Sequence, residues 1–181
     1  MHLINCRVGG QVITLITATA HILNRFPKLS PSSFHRIWQQ KKMIRLYIDI
    51  DGVLLTKRLT KSADGAENFI EYITTNFECY WLTTHCKGNA STAIKYLNQY
   101  FDSQTIEFLQ KVKPTNWDTL KTEALDLNSD FYWLDDYPLN IEIEWMKKKG
   151  IYKRLIIVDL NNDNELENIK KQLHAKKDCA T

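Results

Sequence analysis

The sequence predicts an α/β fold in three layers, a mainly parallel sheet with helices on both faces. Three observations predict it. From Met43 onward, short apolar runs alternate with segments of helical periodicity. Such alternation is the pattern of a parallel sheet with helical crossovers. Three of the apolar runs end in polar residues, and a parallel sheet places its sites at the carboxyl ends of its strands. The chain has 181 residues, 44% hydrophobic and 25% charged, enough for one ordinary domain with a real core. No apolar run is long enough to span a bilayer.

Residues 44–49 read as a buried parallel strand. Residues 64–76 read as a helix, with Phe69, Ile70, Ile73 and Phe77 on one face. Cys79-Tyr80-Trp81-Leu82 is a second short strand, ending in Thr83-Thr84. Asn89 is placed to cap a helix whose apolar positions Ala90, Ile94, Leu97 and Phe101 recur at helical spacing. Residues 105–112 fit a third strand less clearly. Pro114 and Asn116 predict the start of another helix, with Trp117, Leu120 and Ala124 facing inward. Phe131-Tyr132-Trp133-Leu134 is a strand ending in Asp135-Asp136. A helix over about 139–149 closes with three lysines and Gly150, the charge and cap expected at a helix C-terminus. Residues 154–160 form a last strand, and Leu166, Ile169 and Leu173 mark a last helix.

The net charge of +3 hides an asymmetry. Residues 1–48 carry seven basic residues and no Asp or Glu, whereas the rest of the chain holds 17 basic against 21 acidic residues. Residues 1–42 therefore stand apart as a basic extension from a domain spanning 43–181. The extension has three readings: a targeting segment, with Ala18-Thr19-Ala20 after an apolar stretch; a basic arm for nucleic acid; or a segment outside the functional protein, with Met43 as the start. We favour the third. Cys6, Cys79, Cys86 and Cys179 show no CxxC and no close-set framework, which points to a reduced compartment and a cytoplasmic protein.

The strongest local signal is Asp49-Ile50-Asp51-Gly52-Val53-Leu54, directly after the first strand. Residues two apart on a strand point the same way, so both carboxylates can face one site. Gly52 lets the chain turn sharply after the second acid. Thr83 ends the second strand, and Asp135 and Asp136 end a later one, so all converge on one edge. Burying four acids there without a cation is costly. A lysine from before the last of these strands can reach the same edge. Two compete for that place: Lys113, 22 residues before Asp135, and Lys121, 14 before it, with a lean to Lys121.

These motifs resemble those of the haloacid dehalogenase-like (HAD) superfamily, small uncapped type. The Asp49-to-Leu54 segment is similar to its first motif, the strand ending in Thr83 to its second, the lysine to its third and Asp135-Asp136 to its fourth. The match covers residues 43–160. The resemblance implies a Rossmann-like domain and a Mg2+-dependent phosphatase. In that reading Asp49 is the nucleophile, which forms an aspartyl-phosphate. Asp51 is the general acid and then the base. Thr83 hydrogen-bonds the transferring phosphoryl group, and Lys113 or Lys121 stabilises its charge. Asp49, the backbone carbonyl of Asp51, and Asp136 or Asp135 hold the metal.

An acid two residues after the nucleophile is the superfamily's mark of phosphoester hydrolysis. A receiver domain, which uses similar residue types, places its acidic pair on the first strand; here the pair comes last. The gaps from Asp51 to Thr83 and from Thr83 to Lys113, 32 and 30 residues, leave no room for a large cap domain. The resemblance therefore implies an open site and a phosphorylated, bulky substrate. A nucleic-acid end-processing phosphatase linked to RNA repair is one alternative, and a non-catalytic metal-binding module is another. His85 and Cys86 read as loop residues, with Thr84 as an alternative to Thr83. Trp81, Trp117, Tyr132 and Trp133 read as core.

Overall fold

The structure is a computed structural model that describes residues 3–8, 11–16 and 43–179. It divides into two units at Met43, each described by itself. In the first unit, β1 (Leu3–Val8) and β2 (Gln11–Ile16) pair antiparallel, Leu3 opposite Ile16 and Val8 opposite Gln11. Lys28, Arg36, Lys41, Lys42 and the Ala18-Thr19-Ala20 segment lie outside the described residues.

In the second unit, β3 (Arg45–Ile48), β4 (Glu78–Trp81), β5 (Phe131–Asp135) and β6 (Leu155–Ile157) form one parallel sheet in the order β4-β3-β5-β6. The strand bearing Asp49 is thus central, with the Thr83 strand on one side and the Asp135 strand on the other. Period-two alternation sorts the side chains between the faces. Leu46, Ile48 and Leu134 pack into a large cluster with Phe69, Ile70, Ile73, Leu97, Ile106, Ile169 and Leu173. Those residues come from α1 (Ala66–Asn76), α2 (Ala90–Leu97), α3 (Ser103–Leu109) and α5 (Glu165–Cys179). Tyr47, Phe131 and Trp133 point the other way and pack with Met146 of α4 (Asn140–Lys148) and with Leu125. A parallel sheet flanked by helices on both faces is compatible with a Rossmann-like three-layer sandwich.

Local chemistry explains most boundaries. The Asn89 carboxamide accepts the Ser91 N–H at 2.9 Å and starts α2. The three lysines and Gly150 end α4, where Gly150 takes a φ of 70° and its N–H returns to the Lys147 carbonyl. Two expectations need correction. Residues 105–112 are not a strand: the Asp102 carboxylate accepts the Thr105 N–H at 2.8 Å and opens α3, whose Ile106 and Leu109 face the core. The extended contact comes later, where Lys113 pairs in parallel with Tyr80.

Nor do residues 116–124 form a full helix. The Thr115 hydroxyl donates to the Trp81 carbonyl, and the Glu123 carboxylate collects the N–H groups of Asp118 and Leu120 at 2.9 and 3.1 Å. Backbone donors claimed by a side chain favour an irregular path, so only a 3-10 turn, Lys121–Ala124, remains. Glu123 thereby fixes the loop that delivers Lys121.

Candidate functional site

The carboxyl edge of the sheet is built from the exit of β3. Asp49 follows the last strand residue, and its N–H still bonds the Leu134 carbonyl at 3.1 Å. The chain then winds tightly, the N–H groups of Val53, Leu54 and Leu55 all converging on the Ile50 carbonyl. Gly52 makes this turn possible on two counts. Its φ is +82°, and a Cβ there would overlap the Asp136 carboxylate. A short hairpin follows, with Leu55 opposite Ser62 and a tip at 57–60. Leu59 at the tip holds a φ of 61° and lies 86% exposed.

One cation sits between two of the acids. The Lys121 ammonium is 2.5 Å from Asp49 Oδ2 and 2.6 Å from Asp135 Oδ2. Asp135 is fully buried; its Oδ2 also accepts the Trp133 indole N–H at 3.2 Å and its Oδ1 the Tyr137 N–H at 3.0 Å. Burial and then the nearby Asp49 charge push the Asp135 carboxyl up to about 6, against the pull of Lys121. Burial works to lower the Lys121 pKa, but the two carboxylates more than offset it, so the ammonium is held above its ordinary value. A single lysine facing two acids leaves negative charge uncompensated.

Asp136 lies on the solvent side of this cluster, paired with Lys57 of the hairpin tip at 2.5 Å. Asp49, Asp135 and Asp136 can each turn an oxygen to within 4.8 Å of the others, a cluster capable of holding a metal ion. The donor set is all carboxylate oxygen, which suits a hard divalent cation such as Mg2+. The space kept open by Gly52 against Asp136 and the excess negative charge both fit such an ion.

The edge thus brings together Asp49, Lys121, Asp135 and Asp136, while the Asp51 carboxylate turns to His85 and Tyr96. Thr83 follows Leu82, whose N–H bonds the Ile48 carbonyl at the exit of β3. Thr83 is fully buried and its hydroxyl oxygen accepts the His85 N–H at 3.4 Å, whereas Thr84 is exposed. Lys113 lies elsewhere. Its ammonium pairs with Glu78 at 2.5 Å, at the start of β4 and the opposite edge of the sheet. Trp133 is core, as read, but also a donor to Asp135.

Two contacts of Asp51 went unread in the sequence. His85 Nε2 is 2.8 Å from its Oδ2, and the Tyr96 hydroxyl donates to its Oδ1 at 3.1 Å. Burial first, then the Asp51 charge, raise the Tyr96 phenol to about 12, so it stays a donor. Tyr96 stood at a helical position between Ile94 and Leu97, where only the three-dimensional path of α2 reveals its direction. Cys86 is buried, and burial pushes its thiol above the ordinary range, opposite to what a nucleophile needs.

A cleft of about 540 Å³ opens beside Asp136, lined by Gly52, Lys57, Arg58, Ile157 and Asp159 among others. Among the described residues no helix is long and apolar enough to cross a membrane. No protein-family model, curated protein or solved structure matches the chain. The parallel sheet and the acidic triad are consistent with a HAD-like fold.

Proposed function

We propose that residues 43–181 form a Mg2+-dependent phosphoester hydrolase that works through an aspartyl-phosphate on Asp49. The observation that carries this reading is the placement of Lys121 between Asp49 and Asp135, with Asp136 completing a cluster fit for a metal. Asp49 is pre-oriented: Oδ1 accepts its neighbour's Ile50 N–H at 2.7 Å and Oδ2 faces Lys121. Asp135, whose oxygens are taken by Lys121, Trp133 and Tyr137, serves best to hold the lysine. Asp136, whose carboxylate pairs with a solvent-exposed lysine of the hairpin, is the better ligand beside Asp49 and the Asp51 carbonyl. When bound, Mg2+ supplies charge neutralisation and orientation of the phosphoryl group.

The residues then divide the work. Asp49 attacks phosphorus as the bond to the leaving oxygen breaks, and Asp51 gives that oxygen its proton. Asp51 next takes a proton from water, whose oxygen displaces Asp49 and releases phosphate. Lys121 and the Thr83 hydroxyl stabilise the charge on the phosphoryl oxygens. The segment between Asp51 and Thr83 is taken up by the hairpin, α1 and β4, which leaves an open site that suits a bulky, macromolecular phosphoester. A nucleic-acid end is a second reading, favoured by Lys57, Arg58 and the 78%-exposed Tyr137 beside Asp136.

The test is phosphate release by the full chain from p-nitrophenyl phosphate, alkyl phosphates and a phosphorylated oligonucleotide, with and without Mg2+. We expect Mg2+-dependent turnover that Asp49→Asn reduces by at least about a thousandfold. Absence of turnover on every ester by a folded, Mg2+-binding protein would sink the enzyme and leave a metal-binding module.

A further inference from the structure

The two contacts of Asp51 form a unit. His85 comes from the loop after β4, which closes through the Cys86 N–H to the Thr83 carbonyl at 3.2 Å. Tyr96 comes from α2. The imidazole and phenol rings stack face to face, 4.1 Å between centroids and 9° from parallel. Tyr100 abuts Tyr96 edge-on at 5.4 Å and supports the stack from behind. Each ring holds a different oxygen of one carboxyl group, at 2.8 and 3.1 Å. The two partners are thus fixed relative to each other as well as to Asp51.

An exposed aspartate would not otherwise hold one orientation. The Asp51 side chain is 38% exposed and stands at the start of the tight Gly52 turn, past the end of β3. A general acid must keep its oxygen within hydrogen-bond reach of the leaving oxygen, about 2.6–3.2 Å. Small departures from that geometry are expensive in rate.

We propose that the stacked His85–Tyr96 pair positions Asp51, holding its carboxyl group toward the leaving-group oxygen. The inference rests on the phosphatase reading and names residues that act through Asp51 rather than on substrate. In the first half-reaction the leaving oxygen loses its bond to phosphorus and takes the proton from Asp51. A poor leaving group depends on that proton, whereas p-nitrophenolate leaves largely without it. The contribution of the pair therefore scales with the basicity of the leaving group, which simple packing of a loop would not produce.

The experiment compares kcat and KM of the full chain at saturating Mg2+ on p-nitrophenyl phosphate, phenyl phosphate and an alkyl phosphate. The variants are Asp51→Asn, His85→Ala, His85→Gln and Tyr96→Phe. Asp51→Asn should lose about 10²–10⁴-fold in kcat/KM, which reports only the steps through departure of the leaving group, on the alkyl ester and far less on p-nitrophenyl phosphate. His85→Ala and Tyr96→Phe should each lose about tenfold in kcat/KM on the alkyl ester and two- to threefold on p-nitrophenyl phosphate. His85→Gln, which keeps a nitrogen near Nε2, should recover most of the loss.

Equal losses on all three esters would overturn the positioning role while leaving the phosphatase standing. A wild type inactive on every ester would remove the phosphatase reading and this inference with it. Tyr96→Phe keeps both rings and removes one hydroxyl, so it decides the matter if His85→Ala does not fold.

Discussion

The two ends of the same sheet carry charge clusters built on opposite rules. At the amino edge, Arg45 meets Glu78 at 3.1 Å and Asp126 at 2.5 Å, and Lys113 meets Glu78 at 2.5 Å. Cations and acids balance there, the groups are partly solvated, and the Tyr80 ring lies 5.4 Å from the Arg45 guanidinium and 5.6 Å from the Lys113 ammonium. The Lys113 hydrogen bond holds Glu78 below its usual range, and the Asn128 N–H, helped by Arg45, holds Asp126 below its own. At the carboxyl edge, Asp49 and buried Asp135 share one lysine, and Asp135 is pushed up instead. One strand, β3, begins in the first cluster and leads into the second. The balanced cluster serves the fold; the unbalanced one stores a need for positive charge that a metal would meet.

The sharpest way to break the comparison is to remove one lysine from each edge. Lys121→Met should cost about 3–5 kcal/mol, because it strands two acids in a largely dry site. Urea unfolding would measure this, and turnover should vanish with it. Lys113→Met should cost no more than about 1 kcal/mol, since an exposed ion pair contributes little, and should leave kcat intact. Equal costs would mean that the two clusters do not differ as described.

Gly52→Ala comes next. The left-handed φ alone costs about 1–2 kcal/mol, and the added Cβ displaces Asp136. Mg2+ affinity measured by calorimetry should fall more than tenfold. Gly150→Ala shares the positive φ but meets nothing within 4 Å, so it should lose stability without losing metal.

The pH slope of stability tests the same contrast without a substitution, and the edges should give it opposite signs. The folded pKa of Asp135, about 6, lies above the unfolded carboxyl value of about 3.9. Its contribution is complete below pH 4 and is lost as pH rises to 6. The metal-free protein should therefore weaken across that window, by on the order of 1 kcal/mol per unit of pKa difference. Saturating Mg2+ should flatten the slope. Glu78 and Asp126 have depressed values, so their contribution is lost as pH falls through their folded pKa values, below the usual carboxylate range. Urea midpoints between pH 3 and pH 7, with and without Mg2+, would separate the two; a metal-free protein that strengthens from pH 4 to 6 would contradict the charge excess.

Much of the fold was legible from period and capping. The strands at 45–48, 78–81 and 131–135 and the helices at 66–76, 90–97 and 140–148 all follow local patterns. The failures share one cause. At 105–112 and 116–124, apolar content suggested one structure, while the Asp102 and Glu123 carboxylates bound nearby backbone N–H groups and imposed another. The hairpin at 55–62 escaped notice because its apolar residues are too few for a period to show.

What the sequence determined by itself is the set of groups offered at the carboxyl edge. The ends of parallel strands bring Asp49, Thr83 and Asp135-Asp136 to that edge whatever the intervening segments do. Only the tertiary structure decided their partners. Lys121 meets Asp49 across 72 residues, Tyr96 meets Asp51 across 45 and His85 across 34. No periodicity spans such distances. The direction of a long side chain depends on the path of the loop that carries it, and that path follows from the local bonds of Glu123 together with the Thr115 bond to Trp81, which exists only once the sheet has assembled.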